Sequence, residues 1–337
     1  MLKVTTMGGQ LDSQPNLLVI LPIAVLQLFI IIAITVPLAG ALVRYRANYS
    51  PKAVQLSAEE ESVHNRTGPV IGGYFAMLKR VYRMEGWAGL YKGTMPVAFV
   101  GVFFSLVAVV HMMIYGRGVT DVGPLVLFAF SIASMLISLP FSILTYRAMT
   151  TPYKLPYFGL RQSLRVLLTP AERARPWILY LTPGLLITNL LITALSSLVL
   201  TPLQRLLLPQ IPRTRDDIDN IFILRASIYF ILLVLGTSVL VPLQVMMMRL
   251  ALQRNHERPE GVVSAREHLA VYAPEEDVIG LRDEADPYLS LVDCAKRMVA
   301  EEGYGTMFRA WWITFIPLLM AGIAVAGTKP GIALAVE

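Results

Sequence analysis

The chain has 337 residues, 55% of them hydrophobic and 15% charged, with a mean hydropathy of +0.59 and a formal net charge of +6. That balance excludes a water-soluble domain of ordinary surface and points to a membrane protein. The single cysteine, Cys294, excludes an intramolecular disulfide, and with only His64, His111, His256 and His268 scattered around it, no metal-ligand cluster or redox chemistry is expected.

Residues 1–16 carry only Lys3 and Asp12 and no Arg-rich amphipathic pattern, so any organellar address is expected to be internal. The first apolar run, Leu17–Val43, is too long for the core of a cleavable signal peptide and reads as a retained helix. Further near-uncharged runs follow at Pro96–Tyr115, Val122–Tyr146, Trp177–Leu203, Ile221–Met248 and Trp311–Val336. Each approaches or exceeds the ~20 residues a helix needs to cross ~30 Å of hydrocarbon. Six helical spans are predicted, because the runs show no strict alternation and a helix satisfies its own backbone inside lipid.

The polar segments between these runs alternate in length. The long ones, 44–94, 147–176 and 249–310, hold 8, 6 and 8 of the 29 Lys and Arg residues and are predicted to share the non-translocated side, opposite both termini. Residues 255–286 add Glu275, Glu276, Asp277, Asp283, Glu284 and Asp286, and read as a solvated acidic insertion without a core of its own. Two sequons, "NYS" at Asn48 and "NRT" at Asn65, lie in the first long segment, where eight basic residues oppose translocation.

The chain also repeats itself. A proline followed seven residues later by arginine stands near the end of each odd run: Pro37 with Arg44, Pro140 with Arg147, and Pro242 with Arg249. "KRVYRMEGWAGLYKG" (79–93) aligns without a gap on "KRMVAEEGYGTMFRA" (296–310), matching Glu85, Gly86, Tyr91 and Lys92 to Glu302, Gly303, Phe308 and Arg309. The middle copy is blurred: its aromatic falls on Trp177, and Ala171 and Glu172 replace the acid and glycine.

Three such repeats, over 17–115, 122–203 and 221–336 of one membrane domain, resemble the mitochondrial carrier family. The resemblance implies an all-α membrane protein, with six transmembrane helices in a threefold pseudo-symmetric bundle and short loop helices. It implies that Pro37, Pro140 and Pro242 kink the odd helices toward a common axis, and a proline does remove one helical hydrogen bond. It further implies that Tyr91, Lys92 and Gly93, and in weaker form Phe308, Arg309 and Ala310, hold the phosphates of cardiolipin at helix starts.

The sequence departs from the family at its gates. An acid two residues after each proline and a base three residues further on are replaced by Ala39, Ser142 and Gln244 and by Leu42, Thr145 and Met247. The outer arginines Arg44, Arg147 and Arg249 are predicted to form an interfacial positive flank that snorkels to water. The family's central contact positions fall on Val100, Pro317 and either Leu186 or Asn189. Gln27, His111, Ser131, Ser134, Asn189 and Thr193 are candidate cavity residues, for which helix-to-helix hydrogen bonds are the simpler role.

Two functions follow from the resemblance: transport of an unknown small solute, uncharged or weakly polar, or a non-transporting carrier-fold scaffold or fusion and contact-site component of the outer mitochondrial membrane. The expected location is a mitochondrial membrane, the inner before the outer, with membrane lipid and either a small-molecule substrate or a membrane-protein partner, and no nucleic acid. No spacing brings a nucleophile, base and acid together, so no enzyme is expected.

Overall fold

A computed structural model describes residues 17–51, 69–115, 124–156, 159–208, 220–254, 277–284 and 286–327. Among these, every regular element is helical. The long helices are α1 (Leu17–Ala47), α3 (Thr94–Tyr115), α4 (Pro124–Thr150), α7 (Leu185–Ala194), α9 (Asn220–Leu252) and α11 (Trp311–Gly327). α7 runs on through a π-helical stretch, Leu195–Leu200, into α8 (Thr201–Leu207). Shorter helices lie between them: α2 (Tyr74–Leu90), α5 (Leu160–Leu167), α6 (Pro170–Ala174) and α10 (Leu291–Glu301).

Among the described residues five helices are long and apolar enough to cross a membrane, and a sixth span results if Tyr74–Leu90 and Thr94–Val110, bent by 54°, are counted as one. Large apolar side chains such as Phe29, Ile34, Leu106, Val126, Ile137 and Ile231 point outward. Such a surface is disfavoured in water and suits lipid tails. Pro37, Pro140 and Pro242 each lie inside a helix, with helical backbone on both sides.

The main core gathers at the end of α4 and α9 that faces the long polar segments. Leu139 and Ile143 of α4 meet Val241, Val245 and Leu250 of α9, and α10 adds Cys294 and Met298 beneath Tyr288. α10 is two-sided, apolar inward and charged outward, and its start is capped by Ser290, whose hydroxyl accepts from the Asp293 N–H at 3.1 Å.

Residues 255–276 of the predicted solvated insertion lie outside the described residues, but 277–284 do not behave as solvated chain. Val278 and Ile279 are buried against Ala47, Met77, Val81 and Leu90. The Tyr49 N–H donates to the Gly280 carbonyl at 2.9 Å, the Gly280 N–H to Asn48 Oδ1 at 3.0 Å, and Arg80 Nε to the Val278 carbonyl at 3.1 Å. This strap from the third repeat lies on the first. Its two buried apolar residues supply the burial that the surrounding acids conceal in the composition. Asn48, buried and held through both ends of its amide, is closed to glycosylation in the folded chain; Asn65 lies outside the described residues.

Candidate functional site

The arginines that follow the helix prolines do not snorkel. Arg44, Arg147 and Arg249 are 1%, 2% and 5% exposed, and each is paired with a buried glutamate. Arg44 Nη2 donates to Glu85 Oε2 at 2.6 Å. Arg147 grips Glu172 with both Nη atoms, at 2.7 and 2.9 Å, and Arg249 does the same to Glu302, its Nη2 at 2.9 Å from Oε2. The local reason is burial: a guanidinium at these helix ends is covered by the short helices, and a buried cation requires a partner.

These pairs explain the blurred middle repeat. Glu172 takes the acid's role there, held by a capping box in which the Thr169 hydroxyl accepts from the Glu172 N–H and the Thr169 N–H donates to Glu172 Oε2 at 3.0 Å. The following spans then start alike: α3, α7 and α11 begin immediately after Gly93, Gly184 and Ala310, at φ of +81°, +77° and +54°. From acid to that residue the first and third repeats count eight positions and the second twelve. Four extra residues, in the 3-10 turn Pro176–Leu181, defeat a gapless alignment.

Gly86 and Gly303, the glycines of the matched acid-glycine pairs, share a backbone shape open only to glycine, φ +67° with ψ −160° and φ +92° with ψ +167°. Each ends the run of helix that carries the glutamate and aims its carboxylate inward. Gly86 thus breaks α2 as its position in the sequence suggests.

A second set of contacts ties the repeats to each other. Arg46, fully buried, donates from Nη1 to Gln244 Oε1 at 3.0 Å, from Nη2 to Thr314 Oγ1 at 3.0 Å and from Nε to the Arg309 carbonyl at 3.1 Å. Thr314 in turn donates to Gln244 Oε1 at 2.8 Å. Gln244 stands where the family resemblance places a gate acid, and here Arg46 bonds it together with other neutral acceptors. Arg249 also donates to the carbonyls of Arg46 and Asn48, and Arg147 to those of Ala251 and Gln253. Reading the sequence missed Arg46, which lies outside the repeated positions; its signal was a basic residue two places past Arg44 on the same helix end.

The polar groups expected to hold lipid phosphate are engaged inside the protein. Lys92 is buried, its ammonium on Glu85 Oε1 at 2.5 Å and the Thr151 carbonyl at 2.7 Å. Arg309 reaches Glu302 Oε2 at 3.3 Å and Ser50 Oγ at 2.9 Å. The Tyr91 hydroxyl donates to the Ala33 carbonyl at 3.1 Å. Of the expected residues Phe308 does face outward, alongside Trp87, Trp177, Tyr304 and Trp311. Among the cavity candidates, Ser131 and Asn189 donate to carbonyls of their own helices, Leu127 and Leu185, rather than across helices. Gln27 is exposed on α1, and the side chain of His111 lies outside the described residues.

Outside the spans, burial and a hydrogen bond to Glu301 at 2.8 Å raise the Tyr49 hydroxyl above its ordinary range. Burial likewise pushes the Cys294 thiol up to about 12, so it carries no thiolate near neutral pH. No group of His, Cys, Asp and Glu among the described residues could hold a metal ion. No family model and no curated protein matches the chain.

Proposed function

We propose that the chain is a divergent carrier-fold protein of a mitochondrial membrane, whose three repeats move against one another to pass a small, uncharged or weakly polar solute. The observation that supports this is how polar contacts divide between and within repeats. Within each repeat a buried arginine and glutamate form an ion pair: Arg44 with Glu85, Arg147 with Glu172, Arg249 with Glu302. Breaking such a pair leaves an uncompensated buried charge and is strongly disfavoured. Between repeats the arginines end on neutral acceptors, Gln244, Thr314 and backbone carbonyls. Those contacts exchange for water at lower cost. Where an acid does accept across repeats, Glu301 from Tyr49 and Glu302 from the Ser50 N–H, the donor is neutral, so units rigid inside can rock apart without separating opposite charges.

On this reading the pseudo-threefold bundle is the architecture, the prolines shape its axis, and the Arg46–Gln244–Thr314 latch stands in for the absent ionic gate. Cardiolipin would meet backbone N–H groups at the starts of α3, α7 and α11, with the outward aromatics as anchors, rather than the ammonium of Lys92. The test is uptake by liposomes reconstituted with the full chain, across nucleotides, keto acids, amino acids and uncharged cofactors. Saturable uptake of one class, altered by Gln244→Leu, is expected. No uptake of any class, from protein that retains its native melting transition, would overturn transport and leave the scaffold reading.

A further inference from the structure

Beside the cross-repeat ties lies a cavity of about 240 Å³, where the ends of α4 and α9 meet the strap and residues 287–288. Gln253, Arg254, Arg282 and Tyr288 are on its walls. Three buried polar atoms of these residues lack an acceptor among the described residues: Gln253 Nε2, Arg254 Nη1 and the Tyr288 hydroxyl, which stands against the donor-only guanidinium of Arg249. All three can donate, and Tyr288 is 2% exposed. Unmet buried donors are destabilising, most of all on a charged group, and concentrated at one cavity they describe a site for an acceptor.

The surrounding charges are already matched. Arg147 and Arg249 hold Glu172 and Glu302, and Arg282 holds Glu301 at 2.6 Å and Asp286 at 2.5 Å. The rim acids Asp283 and Glu284 have partners of their own, and Glu284 stands 3.7 Å from Arg254 Nε with its side chain half exposed. The carbonyls at the end of α9 would repel an anion. Here the Ala251 and Gln253 carbonyls accept from Arg147, which removes that objection.

We propose that this cavity binds a single phosphate group, with Tyr288, Gln253 and Arg254 as its donors. A space this small falls below the ~300–1,000 Å³ of sites for drug-sized ligands, and so suits one small oxyanion and not a nucleotide. Donors on three residues ask for acceptors on several sides; a tetrahedral phosphate presents oxygens in all directions, whereas a carboxylate presents them in one plane. Bound there, the anion joins the end of α9 to the segment beyond the strap and holds this face of the protein closed. The site is independent of the transport reading, since it needs no solute to pass.

The experiment follows thermal unfolding of the full-length protein in lipid-free detergent while inorganic phosphate is titrated against chloride at constant ionic strength. A parallel arm adds phosphatidic acid in chloride alone. A saturable rise in melting temperature with inorganic phosphate assigns free phosphate; a rise only with phosphatidic acid assigns a lipid headgroup. Tyr288→Phe keeps the ring that stacks 4.8 Å from the Arg282 guanidinium and removes only the hydroxyl. It should weaken the response about tenfold, as should Arg254→Gln, the factor expected when one hydrogen bond to a charged ligand is lost. No rise in either arm, or an undiminished rise in folded Tyr288→Phe protein, would overturn the proposal.

Discussion

The Arg147–Glu172 pair offers the most direct test of the polar layer. Both side chains are almost fully buried, at 2% and 0% exposure, and joined by two hydrogen bonds at 2.7 and 2.9 Å. Arg147→Met leaves a carboxylate buried without its cation, and Glu172→Leu the converse, each at about 3–5 kcal/mol. At roughly 2–4 °C per kcal/mol, each single variant should melt about 6–20 °C below the parent. The double variant leaves no bare charge, so its cost should fall short of the sum by at least about 2 kcal/mol. The assay is a double-mutant cycle of thermal unfolding on the full-length protein in detergent. Single-variant costs under about 1 kcal/mol, the range of exposed pairs, or strictly additive costs, would refute the burial on which the argument rests.

Three further outcomes are expected. Gly184→Ala should be strongly destabilising, because a Cβ there would lie 2.5 Å from the Leu291 nitrogen at a φ of +77°, whereas Ala310→Gly should raise stability by up to about 1–2 kcal/mol by relieving a left-handed alanine; the two melting temperatures check this. The Leu289 N–H and Arg297 hold Asp293 below the ordinary carboxylate range, and Arg297 and Arg282 do the same for Asp286. Folded values lie below unfolded ones, so this stability is present above about pH 4 and is lost as pH falls below it; Asp286→Asn with Asp293→Asn should flatten the acid limb of a stability profile. Maleimide should leave buried Cys294 unlabelled in folded protein at pH 7 and label it after denaturation. Cysteines introduced at exposed Lys79 and Arg165 of a Cys294→Ser chain should react from one side of the membrane and one at exposed Arg205 from the other.

What could be read in the sequence divides by range. The apolar lengths of the spans are local properties, and so is the break at Gly86, because only glycine is at ease at its backbone angles. The ion pairs are not local: their partners stand 41, 25 and 53 residues apart, and nothing in composition marks an arginine as inward when the short helix that covers it is far along the chain. The middle repeat resisted for a geometric reason. Its acid survives at Glu172 and its glycine at Gly184, but the turn Pro176–Leu181 separates them further than in the other copies. The strap was hidden by averaging, since Val278 and Ile279 are two apolar residues in a segment otherwise crowded with acids.

On the proposed transport reading, the absence of the family's gate charges and the presence of Arg46 belong to one physical solution. A closed end needs contacts strong enough to exclude water and weak enough to be released. Opposite charges meet the first need, but in a low-dielectric layer their separation is expensive. A guanidinium has five donors and cannot lose its charge, so it can close a gap by bonding amide, hydroxyl and carbonyl oxygens from two helices together. Arg46 does this with Gln244, Thr314 and the Arg309 carbonyl. On the proposed transport reading, when the helices part those acceptors are neutral and each is readily solvated, so the energy of releasing this latch rests mainly on hydrating one cation. Restoring an acid with Gln244→Glu should therefore raise the melting temperature while slowing any turnover, because the latch would gain a charge that must be separated at each opening. A variant that melts higher and turns over as fast as the parent would mean that this end does not open in the working cycle.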